Sequence, residues 1–359
     1  MDLIHPASRA EVAAALRTAS AEHRRVHLVG GRTHADRADP REVDAELWTT
    51  QLDRTIAYDP AEMVAVVEAG MRVDQLQRIL GEGGQEWPVD APRDATVGGV
   101  IAAGASSVRR LRVGHVRDTV VELDLVTGDG RAVRSGARTV KNVTGFDIHR
   151  LATGSFGSLG AIVQVAVKVR PLPQSRRTLV RANEGGLELG RELLDAVPAA
   201  AAILAARDRI ELRLEGWATE VEELTATAHA VADDLDILED DTFPARPPDD
   251  APVVVRSAVP PSRMAQLVDG LSDWTALIGV GLVWFGLAAP DDPAIATIRG
   301  RTAAAGGTVS VIRGDLHRPD PPEPDPPEPG PIAPDVQRRL KDAFDPAGIL
   351  APVPGGAGA

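Results

Sequence analysis

Hydrophobic and polar positions along the chain mark a series of short elements. In AIVQVAVKVR (161–170), Val163, Val165, Val167 and Val169 alternate with Gln164, Ala166 and Lys168, the period-two pattern of a half-buried strand. SRAE (8–11) reads as a capping box, Ser8 accepting from the helix and Glu11 reaching back, and the helix it opens puts Val12, Leu16 and Ala19 on one face. VHLV (26–29) is a strand that runs into GGRTHA. A turn at Asp59–Pro60 leads into a strand over Met63–Glu68, and VDQLQRILGEGG (73–84) predicts a helix stopped by Gly81. VVELDLVTGDGRAVRS (120–135) predicts two strands joined by a Gly-Asp-Gly turn.

Beyond Pro171–Pro173 the character changes. RIELRLEG (209–216) alternates as a strand, and TEVEELTATAHAVADDL (219–235) predicts a helix capped by Thr219 with Glu222. VVVRS (253–257), two apolar strands within 276–287 and TVSVI (308–312) intersperse with helices near 262–271 and 293–305. Such a mixture predicts an α+β region of antiparallel sheet and helices. RPDPPEPDPPEPGPIAP (318–334) has the composition of an extended Pro-rich, acidic linker, and DVQRRLKDAF (335–344) that of a short helix before DPAGILAPV.

At 359 residues the chain has room for about two domains of roughly 150 residues. Cysteine is absent, so neither disulfides nor thiolate-ligated zinc or iron–sulfur centres can be built from it. A net charge of −13 argues against nucleic acid as a main partner. MDLIHPASRAEV lacks a basic region followed by an apolar run, and the longest apolar stretch (276–289) is too short to span a bilayer. The expectation is a soluble, cytoplasmic protein with no transmembrane segment.

Four glycine-rich stretches carry the candidate chemistry: VGGRTHA (29–35), DATVGGVIAAGAS (94–106), VKNVTGFDIHRL (140–151) and LATGSFGSLGAI (151–162). Glycine pairs let backbone amides approach a phosphate, yet each stretch taken singly is also an ordinary turn. Neither GxGxxG nor GxxxxGK[ST] occurs. Taken in order, ATVGGVIAAG (95–104), VRDTV (116–120), VKNVTGFD (140–147), LATGSFGSLGAI and LKDAFDPAGIL (340–350) resemble the FAD-binding (PCMH-type) domain of the vanillyl-alcohol oxidase and p-cresol methylhydroxylase superfamily, and within it the FAD-binding subunits of glycolate oxidases. The resemblance implies an α+β fold: a PCMH-type FAD-binding domain of two α+β subdomains over 1–175, an α+β cap domain with antiparallel sheet over 176–317, the linker 318–334, and a C-terminal segment 335–353 that returns to the FAD domain.

It also implies non-covalent FAD and assigns residues to it. Gly30, Gly31, Arg32, Thr33 and His34 fall in a first pyrophosphate loop; Thr96, Gly98 and Gly99 fall in a second. Asp94, Ala102, Ala103 and Gly104 line the approach to the flavin, and Gly114 and Asp118 lie where the family's chain passes the isoalloxazine. Asn142 and Asp147 order the third stretch, while Gly154, Ser155, Gly157, Leu159, Gly160 and Ile162 pack close to the cofactor. Two departures stand out. Arg32 replaces a glycine, either to contact phosphate or to hold the loop open, and Ala351 replaces an asparagine near the flavin.

No residue is singled out as catalytic base and no metal site is expected. His229 is the one histidine of the cap core, alone on its helix, and His317 adjoins the Pro-rich linker; His34, His115 and His149 are either flavin neighbours or loop histidines bonded to backbone. RRLR (109–112) with Arg117 is the densest basic patch, a site for anion or partner or else a solvated loop; Trp87, Trp217, Trp274 and Trp284 read as core or interface. The resemblance implies an FAD-dependent oxidoreductase acting on the CH–OH group of a small 2-hydroxy acid. It implies two partners, a larger flavoprotein subunit and an iron–sulfur subunit, through which a cytoplasmic chain can sit at a membrane periphery. The other readings are a self-sufficient FAD oxidoreductase of another alcohol or hydroxy acid, and a non-catalytic docking subunit that keeps the fold.

Overall fold

The computed structural model describes residues 1–33, 43–105, 107–138, 145–182, 186–238, 251–314 and 334–352. His34, Asn142 and nearly all of the Pro-rich linker lie outside the described residues. The chain folds as two compact units, one from 1–107, 115–172 and the C-terminal residues, the other from 108–114 and the residues following Pro173.

The first unit begins with a parallel three-stranded sheet in the order β1 (Asp2–Ile4), β3 (Ala45–Trp48), β2 (Val26–Val29). Helix α1 (Arg9–Ala21) covers it, capped by Ser8, whose Oγ accepts from Glu11 N–H at 3.2 Å. Its buried face is the expected Val12, Leu16 and Ala19. These pack with Leu47, Val126, Val163, Ile349 and Leu350. An antiparallel five-stranded sheet follows, ordered β4 (Thr55–Asp59), β5 (Val64–Glu68), β9 (Ala161–Lys168), β7 (Val120–Val126), β8 (Ala132–Gly136). Helices α2 (Val73–Glu82) and α3 (Val97–Ala103) pack on it, burying Leu76, Leu80, Val100 and Ile101 with Trp87, Val165 and Val167.

Three local expectations change. Strand β9 is central and buried on both faces, because both apolar clusters draw on it. Helix α2 runs through Gly81, where nothing crowds the backbone, and stops at Gly83–Gly84, the latter left-handed at φ +69°. Strand β5 starts at Val64, since Met63 is itself left-handed (φ 54°) and ends a one-turn 3₁₀ helix over Pro60–Glu62.

The second unit is one antiparallel sheet of eight strands, in the order β14 (Asp236–Ile237), β11 (Ser175–Ala182), β13 (Arg209–Gly216), β12 (Ala202–Ala206), β16 (Trp274–Leu277), β17 (Leu282–Leu287), β15 (Val253–Ala258), β18 (Thr308–Arg313). One face, with Leu179, Ile203, Ile210, Leu212, Val255 and Phe285, packs against helices α7 (Gly186–Ala196), α8 (Ala218–Val231) and α10 (Ala294–Ala304). Helix α8 is capped two residues earlier than expected, at Trp217 instead of Thr219: Glu220 accepts from Trp217 N–H at 3.3 Å, the role expected of Glu222. Trp217 is 65% exposed rather than core, whereas Trp87, Trp274 and Trp284 are buried.

The opposite face combines a small apolar cluster (Leu204, Val254, Leu277, Leu282, Trp284) with charged groups. Glu215 pairs with Arg109 and Arg213, each at 3.1 Å, and Arg213 also donates to Thr178 Oγ1 at 2.8 Å. RRLR is therefore no solvated loop. Arg109 is buried and Arg112 pairs with Glu220 at 3.3 Å.

Glu211, on the same face, is 7% exposed, and its Oε2 has no hydrogen-bond partner. Burial pushes its carboxyl up to about 7 against the opposing pull of Arg209, 2.5 Å away. A raised carboxyl pKa contributes stability that is present below the unfolded value near 4.5 and is lost as pH rises through 7. Glu211→Gln is thus expected to be nearly neutral at pH 4.5 and stabilising by a few kcal/mol at pH 8. Urea unfolding at the two pH values checks this; an equal effect at both would refute it.

Candidate functional site

Three of the four glycine-rich stretches meet in the first unit. The first loop leaves β2 at Gly30, and a Cβ there would strike Thr96 Oγ1; one on Gly31 would strike the Asp94 carbonyl. Thr96 caps α3, its Oγ1 accepting from Gly99 N–H at 3.2 Å. Gly98 lies against Ala69, with its N–H on the Ala69 carbonyl at 2.7 Å. The opening of α3 can therefore settle onto the end of β5 only because position 98 has no side chain.

The fourth stretch docks on the other end of α3. Gly154 N–H donates to the Ile101 carbonyl at 3.0 Å and Phe156 N–H to the Ala102 carbonyl at 2.9 Å. Gly104 is left-handed (φ 59°), and a Cβ on it would come within 3.0 Å of Gly154 Cα. Between 154 and 157, Gly154, Phe156 and Gly157 all have positive φ (82°, 51°, 78°). That coil is unusual for Phe156, and its hydrogen bonds to α3 hold it. Gly157 faces Leu28, and Gly160 lies against the Val126 carbonyl. Ser155 Oγ donates to the Ala152 carbonyl at 2.8 Å; Leu159 and Ile162 are buried, Ile162 in the apolar core. Around Gly154 alone, among these glycines of the fourth stretch, a Cβ would meet no heavy atom within 4 Å. Glycines 30, 31, 98, 104, 157 and 160 pack against other parts of the protein, whereas Gly154 borders open space.

The other sequence candidates are placed as follows. Asp118 and Asp147 flank Arg150 at 3.8 and 4.0 Å, beside helix α6 (Ile148–Ala152). Gly114 groups with the second unit. Thr33 is half-buried next to Arg32. His115 accepts from Arg117 N–H at 3.0 Å, and His149 lies 3.1 Å from Ser135 Oγ. Burial holds His149 below its ordinary pKa, so it is a neutral packing residue at pH 7. Arg32 occupies the left-handed position (φ 54°) and is ion-paired with Glu46 while lying 5.0 Å above the Trp48 ring. Trp48 in turn donates to Glu46 at 3.0 Å and stacks on His5. The loop is held by this group, with the charge of Arg32 already matched.

Lys341 was not foreseen. On α11 (Pro334–Phe344), its ammonium donates to the carbonyls of Ser158 (2.9 Å), Leu350 (3.3 Å) and Ala351 (2.7 Å) and to Asp345 (2.7 Å). Asp345, 2% exposed, accepts from the N–H groups of Ile349 (3.1 Å) and Leu350 (2.8 Å). One lysine thus ties the fourth loop to the C-terminal segment. The i,i+4 pair in LKDAFD was the visible signal.

Part of the sequence is similar to known proteins. Residues 3–136 match the family model described as FAD binding domain. The chain carries an FAD binding domain. Over 129 residues it is 36% identical to the glycolate oxidase subunit GlcE of Escherichia coli, covering 35% of this chain and 37% of that protein. It is 32% identical over 171 residues to a D-lactate dehydrogenase of Archaeoglobus fulgidus (47% and 38%) and 30% identical over 147 residues to the glycolate oxidase subunit GlcD of Bacillus subtilis (40% and 31%). The matched part thus spans less than two-fifths of each of these relatives. In fold, the chain is similar to alkyldihydroxyacetonephosphate synthase, with a TM-score of 0.68 at 16% identity over 98% of this chain and 76% of that one. The α+β architecture of the FAD domain is the one expected from its motifs.

FAD fits the residues present: a side chain at Gly154 would enter open space, and the coil 154–157 is held by Leu28 and α3, with Lys341 bonded to Ser158 next to it. Two outcomes follow. Gly154→Ala is expected to cost about 1 kcal/mol through its positive φ yet to cut FAD retention at least about tenfold, whereas Gly157→Ala, which turns a methyl toward Leu28, lowers stability with less effect on FAD affinity. Flavin released on denaturation, set against thermal melting, separates them; equal flavin loss in both variants would contradict the assignment. Lys341→Met leaves Asp345 buried beside an apolar chain and is expected to cost about 2–4 kcal/mol and to loosen the fourth loop. Urea unfolding and limited proteolysis near Ser158 read both effects, and unchanged stability would remove Lys341 from this role.

Proposed function

We propose that the chain is the FAD-binding subunit of a 2-hydroxy acid dehydrogenase of the glycolate oxidase type, an FAD-dependent oxidoreductase acting on CH–OH groups. The observation that carries this reading is the open space at Gly154, in a chain whose FAD domain is similar to glycolate oxidase subunits and to D-lactate dehydrogenase. In this reading the backbone of Gly30–Thr33 and Thr96–Gly99, together with Ala103 and Gly154, borders the cofactor, and the absence of a side chain at 154 lets it approach closely. Bound there, the isoalloxazine supplies a two-electron acceptor for a substrate C–H bond. The coil at 154–157, fixed by its hydrogen bonds to α3, keeps that position rigid and excludes water behind it.

The proposed division of labour is an FAD domain over 1–175 completed by 335–353, a cap over 176–317, and onward electron transfer through partners. The sequence contains no cysteine to ligate an iron–sulfur centre, so the reading places that centre in a second subunit, beside a larger flavoprotein subunit. No helix among the described residues is long and apolar enough to cross a membrane; a cytoplasmic chain at the membrane periphery through its partners is the corresponding proposal.

The test is the visible spectrum of the purified chain, followed by anaerobic addition of glycolate and D-lactate. A bound flavin that stays oxidised until the partner subunits are added is the expected outcome. Bleaching by either acid without partners would instead make the chain a self-sufficient oxidoreductase. A colourless protein that binds no added FAD would leave only a docking role.

A further inference from the structure

Arg32 sits in the first loop with its backbone left-handed at φ 54°, a conformation that glycine takes freely and L side chains rarely adopt. Such a position persists only where the surroundings hold it. Its guanidinium is ion-paired with Glu46 Oε1 and lies 5.0 Å from the centre of the Trp48 ring. Trp48 Nε1 donates to the other carboxylate oxygen of Glu46 at 3.0 Å, and His5 stacks on the same indole at 6.0 Å.

Glu46 and Trp48 stand two residues apart on β3 and so share one face of its sheet, with Trp48 in register with Val29 at the end of β2. The loop therefore leaves β2 beside the strand that grips its third residue. Gly30 and Gly31 lie too close to Thr96 and Asp94 to carry a side chain. The turn is thus fixed along Gly30–Arg32. Glu46 is only 6% exposed, and moving the Arg32 guanidinium onto a phosphate would strip this buried carboxylate of its cation.

We propose that Arg32 is a positioning residue for FAD. Its latch onto Glu46 and Trp48 presets the backbone of Gly30–Thr33 to receive the cofactor's diphosphate, while the guanidinium itself stays on Glu46. This inference rests on the flavin reading of the first loop.

The test titrates FAD into the full chain after removal of bound flavin, and measures melting temperatures without FAD, for wild type, Arg32→Gly, Arg32→Lys, Glu46→Gln and Arg32→Gly combined with Glu46→Gln. Arg32→Gly is expected to bind FAD about tenfold more weakly and Glu46→Gln about threefold, because the loop then holds the receptive shape only part of the time. Arg32→Lys keeps an ion pair without the planar fork and is expected to lose less affinity than Arg32→Gly. Arg32→Gly alone strands Glu46 and is expected to melt lower. Adding Glu46→Gln is expected to restore the melting temperature but not the affinity. Tighter FAD binding by Glu46→Gln would make Arg32 a phosphate ligand and overturn the proposal. Affinity that recovers together with the melting temperature in the combined variant would overturn it too, as the latch would then serve stability alone. Wild-type FAD affinity in every variant would remove the latch and leave the flavin reading standing, whereas a wild-type chain that binds no FAD would remove both.

Discussion

Backbone must approach backbone in the first unit with nothing between. Three loops from β2, from the entry to α3 and from the exit of α6 converge, and at Gly31, Gly98 and Gly104 a single methyl group would collide with a carbonyl or a neighbouring Cα. The cost is conformational entropy in the unfolded chain, which glycine loses more of than any other residue. The hydrogen bonds from Gly154 and Phe156 to the end of α3, and the cap from Thr96, offset that cost and convert flexible segments into a fixed wall. The open space at Gly154 exists because everything around it is already packed.

Much of this was legible in the chain. Ser8 with its Val12–Leu16–Ala19 stripe, the hairpin around Gly130 and the alternation of RIELRLEG each follow from local rules, and each element formed. The order of the glycine motifs pointed to the FAD domain. What the motifs did not tell was which partner each glycine meets. Spacing cannot distinguish a glycine that admits a ligand from one that admits another loop, and Gly31 and Gly154 look alike until the strands are paired. The strands Ser175–Ala182 and Ala202–Ala206 escaped notice because they lack a clean alternation: Arg176 and Arg177 are adjacent, and Ala202–Ala206 is uniformly small and apolar. Long-range partners were equally invisible, as with Glu46 and Trp48 for Arg32 or Ser158 for Lys341.

The eight-stranded sheet shows two solutions to burial on one scaffold. Its helix-covered face is mostly apolar, and its polar groups are paired: Ser257 with Thr302 at 2.8 Å and Arg177 with Thr225 at 3.0 Å. The other face buries Arg213 and Glu215 as a bonded pair but leaves Glu211 and Arg256 with unmatched atoms. Paired charges in such a setting add little net stability, while unmatched ones subtract from it. That face is tuned for something other than maximal stability.

Strand β2 and helix α1 share one apolar cluster with Ile349 and Leu350, and Val26 N–H donates to the Ile349 carbonyl at 2.8 Å. Residues more than 300 positions apart therefore finish a single core. During synthesis the N-terminal strands leave the ribosome long before their last neighbours exist, and the intervening sheet, whose strands pair over far shorter separations, can close first. Until the final segment emerges, Val12, Leu16 and Val26 lack part of their cover. This order of assembly makes loss of the segment that carries Ile349 and Leu350 far more damaging than its small share of the length would suggest.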